Sequence, residues 1–258
     1  MRGSALNRIV LFSDFDGTLV PIRKDPKKVV LSVRVRNVLK RLVRNIPVAI
    51  ISGRSLAFLK KAIAIPEIIL AGNHGLEVKM GLDRYRHPKA VACEKTIKLF
   101  TDCLKREFRK TAGILIEEKG LTATFHYRLV SESQRELACN AFYDRFKNFS
   151  ENSDGDILKV RAGKMSLEIL PNINWGKKEA ILWILERYKK RFPQRKVIPI
   201  YSGDDETDRA SLSLMKKIGI SIFVGREIAP KMAATFFLSS QTQYIALLRQ
   251  LQLEIADQ

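Results

Sequence analysis

Two short acidic stretches hold the residue types most able to do chemistry. In "VLFSDFDGTLV", residues 10–20, Asp14 and Asp16 stand one residue apart directly after an apolar run. In a β-strand, residues i and i+2 face one side, so the two carboxylates would converge while Phe15 turns into the core. Without a cation they repel, and one is driven to keep its proton. A divalent cation removes that conflict, and hard oxygen ligands suit magnesium. Taken alone, this D-x-D is served equally well by one turn-capping and one exposed aspartate. A second cluster, "SGDDETD" at 202–208, places Asp204, Asp205 and Asp208 at the end of another apolar run, with no basic residue before Arg209 to pair them. Solvated turn aspartates explain two such strand ends poorly; a bound metal explains both.

These acids can meet only if the elements beneath them bring the two strand ends together. Strand-like runs "RIVLFSDFDG", "IPVAIISG", "EIILAGNHG", "KVIPIYSGDD" and "IGISIFVG" alternate with helix-like runs over 32–45, 55–64, 177–191 and 206–217. That rhythm predicts an α/β core, a doubly wound, Rossmann-like parallel sheet whose ligands bind beyond the carboxyl ends of the strands. Between 86 and 165 the texture changes. Helices near 90–109 and 131–149 alternate with "GILIEEKG", "LTATFHYR" and "DILKVRAGK", which reads as an inserted α+β domain. The expected organisation is therefore a core of 1–85 and 166–258 with 86–165 inserted, joined by short hinges, because no long Gly/Ser linker occurs. If "LTATFHYR" is a strand, His126 and Arg128 share a face with Thr122 and Thr124 and could meet a ligand together. A hydrogen-bonded core histidine is the alternative.

Composition narrows the function classes. The chain has 258 residues, 46% hydrophobic, enough for a sizeable core. Its formal charge of +19 calls for an anionic partner: a phosphorylated substrate, nucleic acid or an acidic protein. The basic residues gather in helix-like segments over 23–44 and 187–196 without interleaved aromatics, so solvated helix faces are expected rather than a nucleic-acid groove. No apolar run approaches the roughly 18 residues of a membrane span, and Ile9 to Phe12 is too short for a signal segment, so a cytoplasmic location is the default expectation. Cys93, Cys103 and Cys139 lack CxxC spacing and are expected to be reduced thiols. No G-x-x-x-x-G-K-[ST] pattern occurs, which disfavours a nucleoside triphosphatase.

With these residues in view, the chain resembles the haloacid dehalogenase-like phosphatases, and within them the trehalose-6-phosphate phosphatase branch. The first motif of that superfamily, D-x-D-G-T-L, stands at 14–19, and the serine of the second is Ser52 in "IISGR". Branch features follow: "GNHGLE" at 72–77, "IEEKGLTATFHYR" at 116–128, "LEILP" at 167–171, "WGKKEA" at 175–180 and "GDDETD" at 203–208. The resemblance implies that Asp14 is the nucleophile and Asp16 the general acid and base. It implies Mg2+ held by Asp14, the backbone carbonyl of Asp16 and Asp204, with Asp208 and Asp205 nearby as a further ligand or as support for the ligands. Ser52 would donate to a phosphoryl oxygen, Lys177 would add positive charge, and Gly53 and Arg54 would border the substrate.

The insertion would be a cap. Lys119, His126, Arg128 and Glu168 would hold the second glucose ring, with Asn73, His74 and Glu77 near its opening. The implied partner is a small-molecule sugar phosphate, and the synthase that makes it is a further candidate partner. Three positions depart from the branch pattern: Lys178 replaces a usual Gly, Leu170 a usual Arg, and Arg209 a frequent acid. The rival readings are a capped phosphatase for another sugar phosphate, such as sucrose phosphate or mannosyl-phosphoglycerate, and a catalytically silent regulatory module.

Overall fold

The apolar run Ile9 to Phe12 opens β1 (Ile9–Ser13), buried along its whole length because helices cover both faces of the sheet it belongs to. The computed structural model describes residues 9–23, 28–152, 157–194, 196–226 and 233–256. The chain divides into two units, 1–85 with 175–258, and 86–174.

In the first unit, β1 is followed by β2 (Val48–Ile51), β3 (Ile69–Gly72), β4 (Glu77–Met80) and β5 (Asp83–Arg86). Beyond the second unit come β10 (Ile198–Gly203), β11 (Ile220–Val224) and β12 (Phe236–Leu238). The sheet runs β12-β11-β10-β1-β2-β3-β4-β5, parallel from β12 to β3 and antiparallel between β3 and β4. Ile9 and Leu11 pack with α1 (Val33–Leu42), α2 (Leu56–Ile63) and α8 (Gln241–Ala256). Val10 and Phe12 point the other way, toward α6 (Lys177–Arg191) and α7 (Arg209–Ile218). Serine caps start the first two helices: Ser32 accepts from the Val35 amide at 3.3 Å and Ser55 from that of Phe58 at 3.2 Å. Lysines and arginines close them, Lys40 and Arg41 on α1 and Lys60 and Lys61 on α2, where cations complement the negative end of the helix dipole.

At the edge of this unit, the Tyr85 ring lies 5.5 Å from that of Trp175 and 4.9 Å from that of Trp183. Trp175 also donates its indole N–H to the Gly75 carbonyl at 2.9 Å.

The second unit sets α3 (Pro88–Ala92), α4 (Glu94–Glu107) and α5 (Glu132–Glu151) with an antiparallel sheet of β6 (Leu115–Glu118), β7 (Ala123–His126), β9 (Ser166–Pro171) and β8 (Leu158–Gly163), in that spatial order. Alternation gives the sheet two characters. Phe125, Leu167 and Ile169 face a core built with Ile97, Phe100, Leu104 and Phe142, in which the Phe125 and Phe142 rings lie 5.0 Å apart. Thr124 is paired with Glu117 on one side and Glu168 on the other, and Glu168 with Arg161, so these residues share the opposite face.

Two expectations need correction, and a third begins outside the described residues. The inserted unit does not stop at 165: β9 pairs with both β7 and β8, which carries the unit to Asn174. Position 156, where the run "DILKVRAGK" begins, lies outside the described residues. And β1 ends at Ser13, so strand alternation does not set Asp14 and Asp16 side by side. The chain turns instead, with the Gly17 amide donating to the Val20 carbonyl at 2.7 Å and the Leu19 and Val20 amides both donating to the Phe15 carbonyl. Among the described residues, no helix is long and apolar enough to cross a membrane.

Candidate active site

The Asp14 amide donates to the Ser202 carbonyl at 2.8 Å, extending the β1–β10 ladder by one residue and placing Asp14 beside the end of β10. Lys177, the first residue of α6, is buried and donates at 2.7 Å to Oδ1 of Asp14 and at 2.7 Å to Oδ1 of Asp208. Carboxylate oxygens of Asp14, Asp204 and Asp208 all lie within 4.8 Å of one another. Two glycines make this crowding possible. Gly17 has φ +90°, and a Cβ there would stand 2.1 Å from Oδ2 of Asp204. A Cβ on Gly203 would stand 2.4 Å from Cγ of Asp208. The Thr18 hydroxyl steadies Asp204 by donating to its Oδ1 at 3.3 Å.

Charge in this cluster does not balance: three carboxylates face one ammonium. Burial raises the Asp14 carboxyl well above the usual range, Lys177 opposes that, and Asp208 and Asp204 raise it further. Burial alone would lower the Lys177 ammonium, but Asp14 and Asp208 outweigh it and hold it well above its ordinary value. Lys177 therefore stays charged, and a hard divalent cation among the oxygens is the species that would let the remaining carboxylates ionise together. The donor set fits such a cation.

Asp208 is the best-anchored of the three. Its Oδ1 accepts from Lys177 and from the Tyr201 hydroxyl, and its Oδ2 accepts the amides of Asp204 at 3.2 Å and Asp205 at 3.1 Å. A carboxylate offers about four lone-pair sites, and these bonds use them. Asp208 therefore anchors the cluster as well as standing, with Asp14 and Asp204, among the carboxylates that could hold a cation. Asp205 caps the turn over 206–208 by accepting from the Thr207 amide at 3.3 Å.

Asp16 takes a different partner. Arg54 grips it with two parallel bonds, Nε to Oδ2 at 2.8 Å and Nη2 to Oδ1 at 2.7 Å, while its guanidinium lies 4.7 Å from the centre of the Phe58 ring. Both Asp16 oxygens face Arg54, so the backbone carbonyl is what Asp16 has to offer a cation. Ser52 is buried and accepts from the Arg54 amide at 3.2 Å, an arrangement that leaves its hydroxyl proton to be donated.

Asn73, His74 and Glu77 shape the neighbouring loop. Asn73 and His74 have positive φ, and their amides donate to the carbonyls of Arg54 at 2.8 Å and Ser52 at 2.9 Å. Glu77 braces the loop: its Oε1 accepts from the Leu56 amide at 2.9 Å and from Nδ2 of Asn73 at 2.8 Å, tying β4 to the start of α2. Of the departures from the branch pattern, Lys178 pairs at 3.0 Å with its neighbour Glu179 while Lys177 enters the site, Leu170 is buried, and Arg209 pairs at 2.7 Å with Glu206.

In the second unit, Lys119 lies 3.7 Å from Glu168, Arg161 donates through Nε to Glu168 at 3.1 Å, and His126 Nε2 lies 3.0 Å from Glu117. Arg128 falls past the end of β7, in a turn, and donates to the Lys164 carbonyl at 2.6 Å; strand alternation therefore does not pair it with His126. Sequence reasoning placed the buried Thr124 on the face of His126 but missed Glu117 and Arg161, although "IEEKG" and "KVRAG" flank the same sheet. Among the described residues, the Thr124 hydroxyl has no hydrogen-bond partner.

A parallel sheet with Asp14 and Asp204 at the ends of adjacent strands, and Lys177 opening the helix beside them, is the fold of the haloacid dehalogenase-like hydrolases. A haloacid dehalogenase-like hydrolase from Bacteroides thetaiotaomicron has this fold, with a TM-score of 0.62 at 15% identity over 94% of this chain and 98% of that one. The chain belongs to the trehalose-phosphatase family, whose model matches residues 12–242. Trehalose 6-phosphate phosphatase RA3 of Zea mays is 30% identical across 95% of this chain and 70% of its own length. A trehalose-phosphate phosphatase of Mycobacterium bovis (strain BCG / Pasteur 1173P2) is 28% identical across 86% of this chain and 55% of its own. The solved structure of a trehalose-6-phosphate phosphatase related protein superposes with a TM-score of 0.80, at 19% identity, over 96% of this chain and 100% of that one.

Proposed function

We propose that this phosphatase hydrolyses trehalose 6-phosphate to trehalose and phosphate through an aspartyl-phosphate on Asp14, with Mg2+ as its metal. The observation that carries the reading is the meeting of Asp14, Lys177, Asp204 and Asp208 in one buried cluster. Phosphate monoesters are among the slowest esters to hydrolyse in water, so a nucleophile has to be presented and the phosphoryl charge offset. An Asp14 oxygen attacks phosphorus, the ester oxygen leaves and takes a proton from Asp16, and water then attacks the aspartyl-phosphate after giving its proton back to Asp16. Lys177 keeps its charge beside the phosphoryl group, where the first amides of α6 also favour an anion. When bound, the cation would offset repulsion between the Asp14 carboxylate and the phosphoryl oxygens.

Asp16 can deliver a proton only after an oxygen is released from Arg54, so substrate arrival has to open that ion pair. The polar sheet face bearing Lys119, Thr124, His126 and Glu168 offers donors and acceptors for sugar hydroxyls, and we assign it the second glucose ring. The implied partners are the sugar phosphate and the enzyme that forms it.

Phosphate release from trehalose 6-phosphate, glucose 6-phosphate, sucrose phosphate, mannosyl-phosphoglycerate and an aryl phosphate tests this. Trehalose 6-phosphate should give the highest kcat/KM, chelator should abolish turnover, and added Mg2+ should restore it. Preference for another sugar phosphate would replace the substrate assignment. Turnover of none would favour a silent module.

A further inference from the structure

Tyr201 lies inside β10, fully buried among Phe12, Leu212 and Met215 on the α6–α7 side of the sheet. A phenylalanine would fill the same space. What distinguishes the residue is its hydroxyl, which donates to Oδ1 of Asp208, the oxygen that also receives Lys177. A phenol is costly to bury unless it finds such a partner. The other Asp208 oxygen holds the amides of Asp204 and Asp205, so one carboxylate fixes both the cation that faces Asp14 and the backbone that presents Asp204.

We propose that Tyr201 is a positioning residue for phosphoryl transfer: by occupying Oδ1 it keeps Asp208 turned toward Lys177 and the Asp204–Asp205 backbone, and so sets the affinity of the Asp14–Asp204 site for its cation. Without the hydroxyl, Asp208 recovers a lone pair and rotamer freedom, and it can turn toward the cation while Asp204 loses its backbone anchor. Outer partners of metal ligands are worth about 10–100-fold in metal affinity or activity.

The test uses Tyr201→Phe, a nearly isosteric change, in the full chain. Mg2+ is titrated without substrate, following the rise in melting temperature and the heat of binding. The half-saturating concentration should increase about 10–100-fold. At saturating Mg2+, kcat on p-nitrophenyl phosphate should fall more than KM changes. Asp208→Asn should shift the Mg2+ midpoint at least as far, and the double variant should match Asp208→Asn alone, because Tyr201 acts through Asp208. A Tyr201→Phe midpoint equal to that of the unaltered protein, or additive effects in the double variant, would overturn the proposal and make Tyr201 a packing residue. The inference rests on the reading of the acidic cluster as a cation site. That reading fails separately, if Mg2+ leaves the melting temperature of the unaltered protein unmoved.

Discussion

The two aspartates of D-F-D-G-T separate by partner rather than by face. Asp14 sits on the buried Lys177, whereas Asp16 is chelated by Arg54 in a part-exposed pair. Two parallel bonds fix the carboxylate plane as well as its position, which lysine cannot do. Arg54 therefore aims Asp16 between turnovers. Arg54→Ala should lower kcat/KM by about 10²-fold, the cost of a misplaced catalytic group, with Arg54→Lys recovering little of it. Asp14→Asn should show no turnover at all, and Asp16→Asn should slow turnover by roughly 10²-fold or more. Rapid-quench detection of phosphorylated protein separates these variants: measurable turnover by Asp14→Asn would exclude the covalent route. Arg54→Ala at full rate would reduce the ion pair to decoration.

At the level of elements, the site depends on strand ends that can crowd. Gly203→Ala places a Cβ 2.4 Å from Cγ of Asp208, so it should displace the anchor and remove most activity. Far-ultraviolet dichroism should stay unchanged, with a stability loss of about 1–3 kcal/mol for overpacking. Full activity in Gly203→Ala would mean Asp208 need not stand there. Much of this level is legible in the sequence. Strands β1, β2, β3, β10 and β11 announce themselves as apolar runs because both of their faces are covered. Less visible are β5, with the polar sequence DRYR, and β12, whose Phe236 and Phe237 remain half exposed, since edge strands lack the double-sided burial that writes the signal. The helix α8 also escapes the reading, although Tyr244, Leu248 and Ile255 pack against the core at helical spacing. Asp14, Asp204 and Lys177 could be found because local motifs mark them. The Arg54–Asp16 grip and the Tyr201–Asp208 bond could not, because each joins residues on different elements and only the fold sets their geometry.

Over the whole molecule, positive charge is unevenly placed. From residue 26 to 66 there are ten basic residues and no acidic one. Lys40, Arg41, Lys60 and Lys61 are exposed in the last turns of α1 and α2, where they offset helix dipoles, so a nucleic-acid partner is not needed to explain them. Binding to duplex DNA should accordingly be weak and nearly gone between about 50 and 200 mM salt. Fluorescence anisotropy checks this, and tight binding that persists at the higher salt would call for a dedicated polyanion surface.

The tilted rings of Tyr85 and Trp175, 5.5 Å apart at the last core residue before the insertion and the first after it, have an evolutionary consequence. The two cut ends of the core lie next to each other, pinned by Trp183 and by the Trp175 bond to Gly75. Residues 86–174 thus form a cassette entered and left through one doorway, and among the described residues its four-stranded sheet is separate from that of the core. Recombination at that doorway can exchange the inserted segment while β1 to β4 and β10 to β12 keep their pairing, so the insertion can diverge separately from the cluster of Asp14, Asp204 and Lys177.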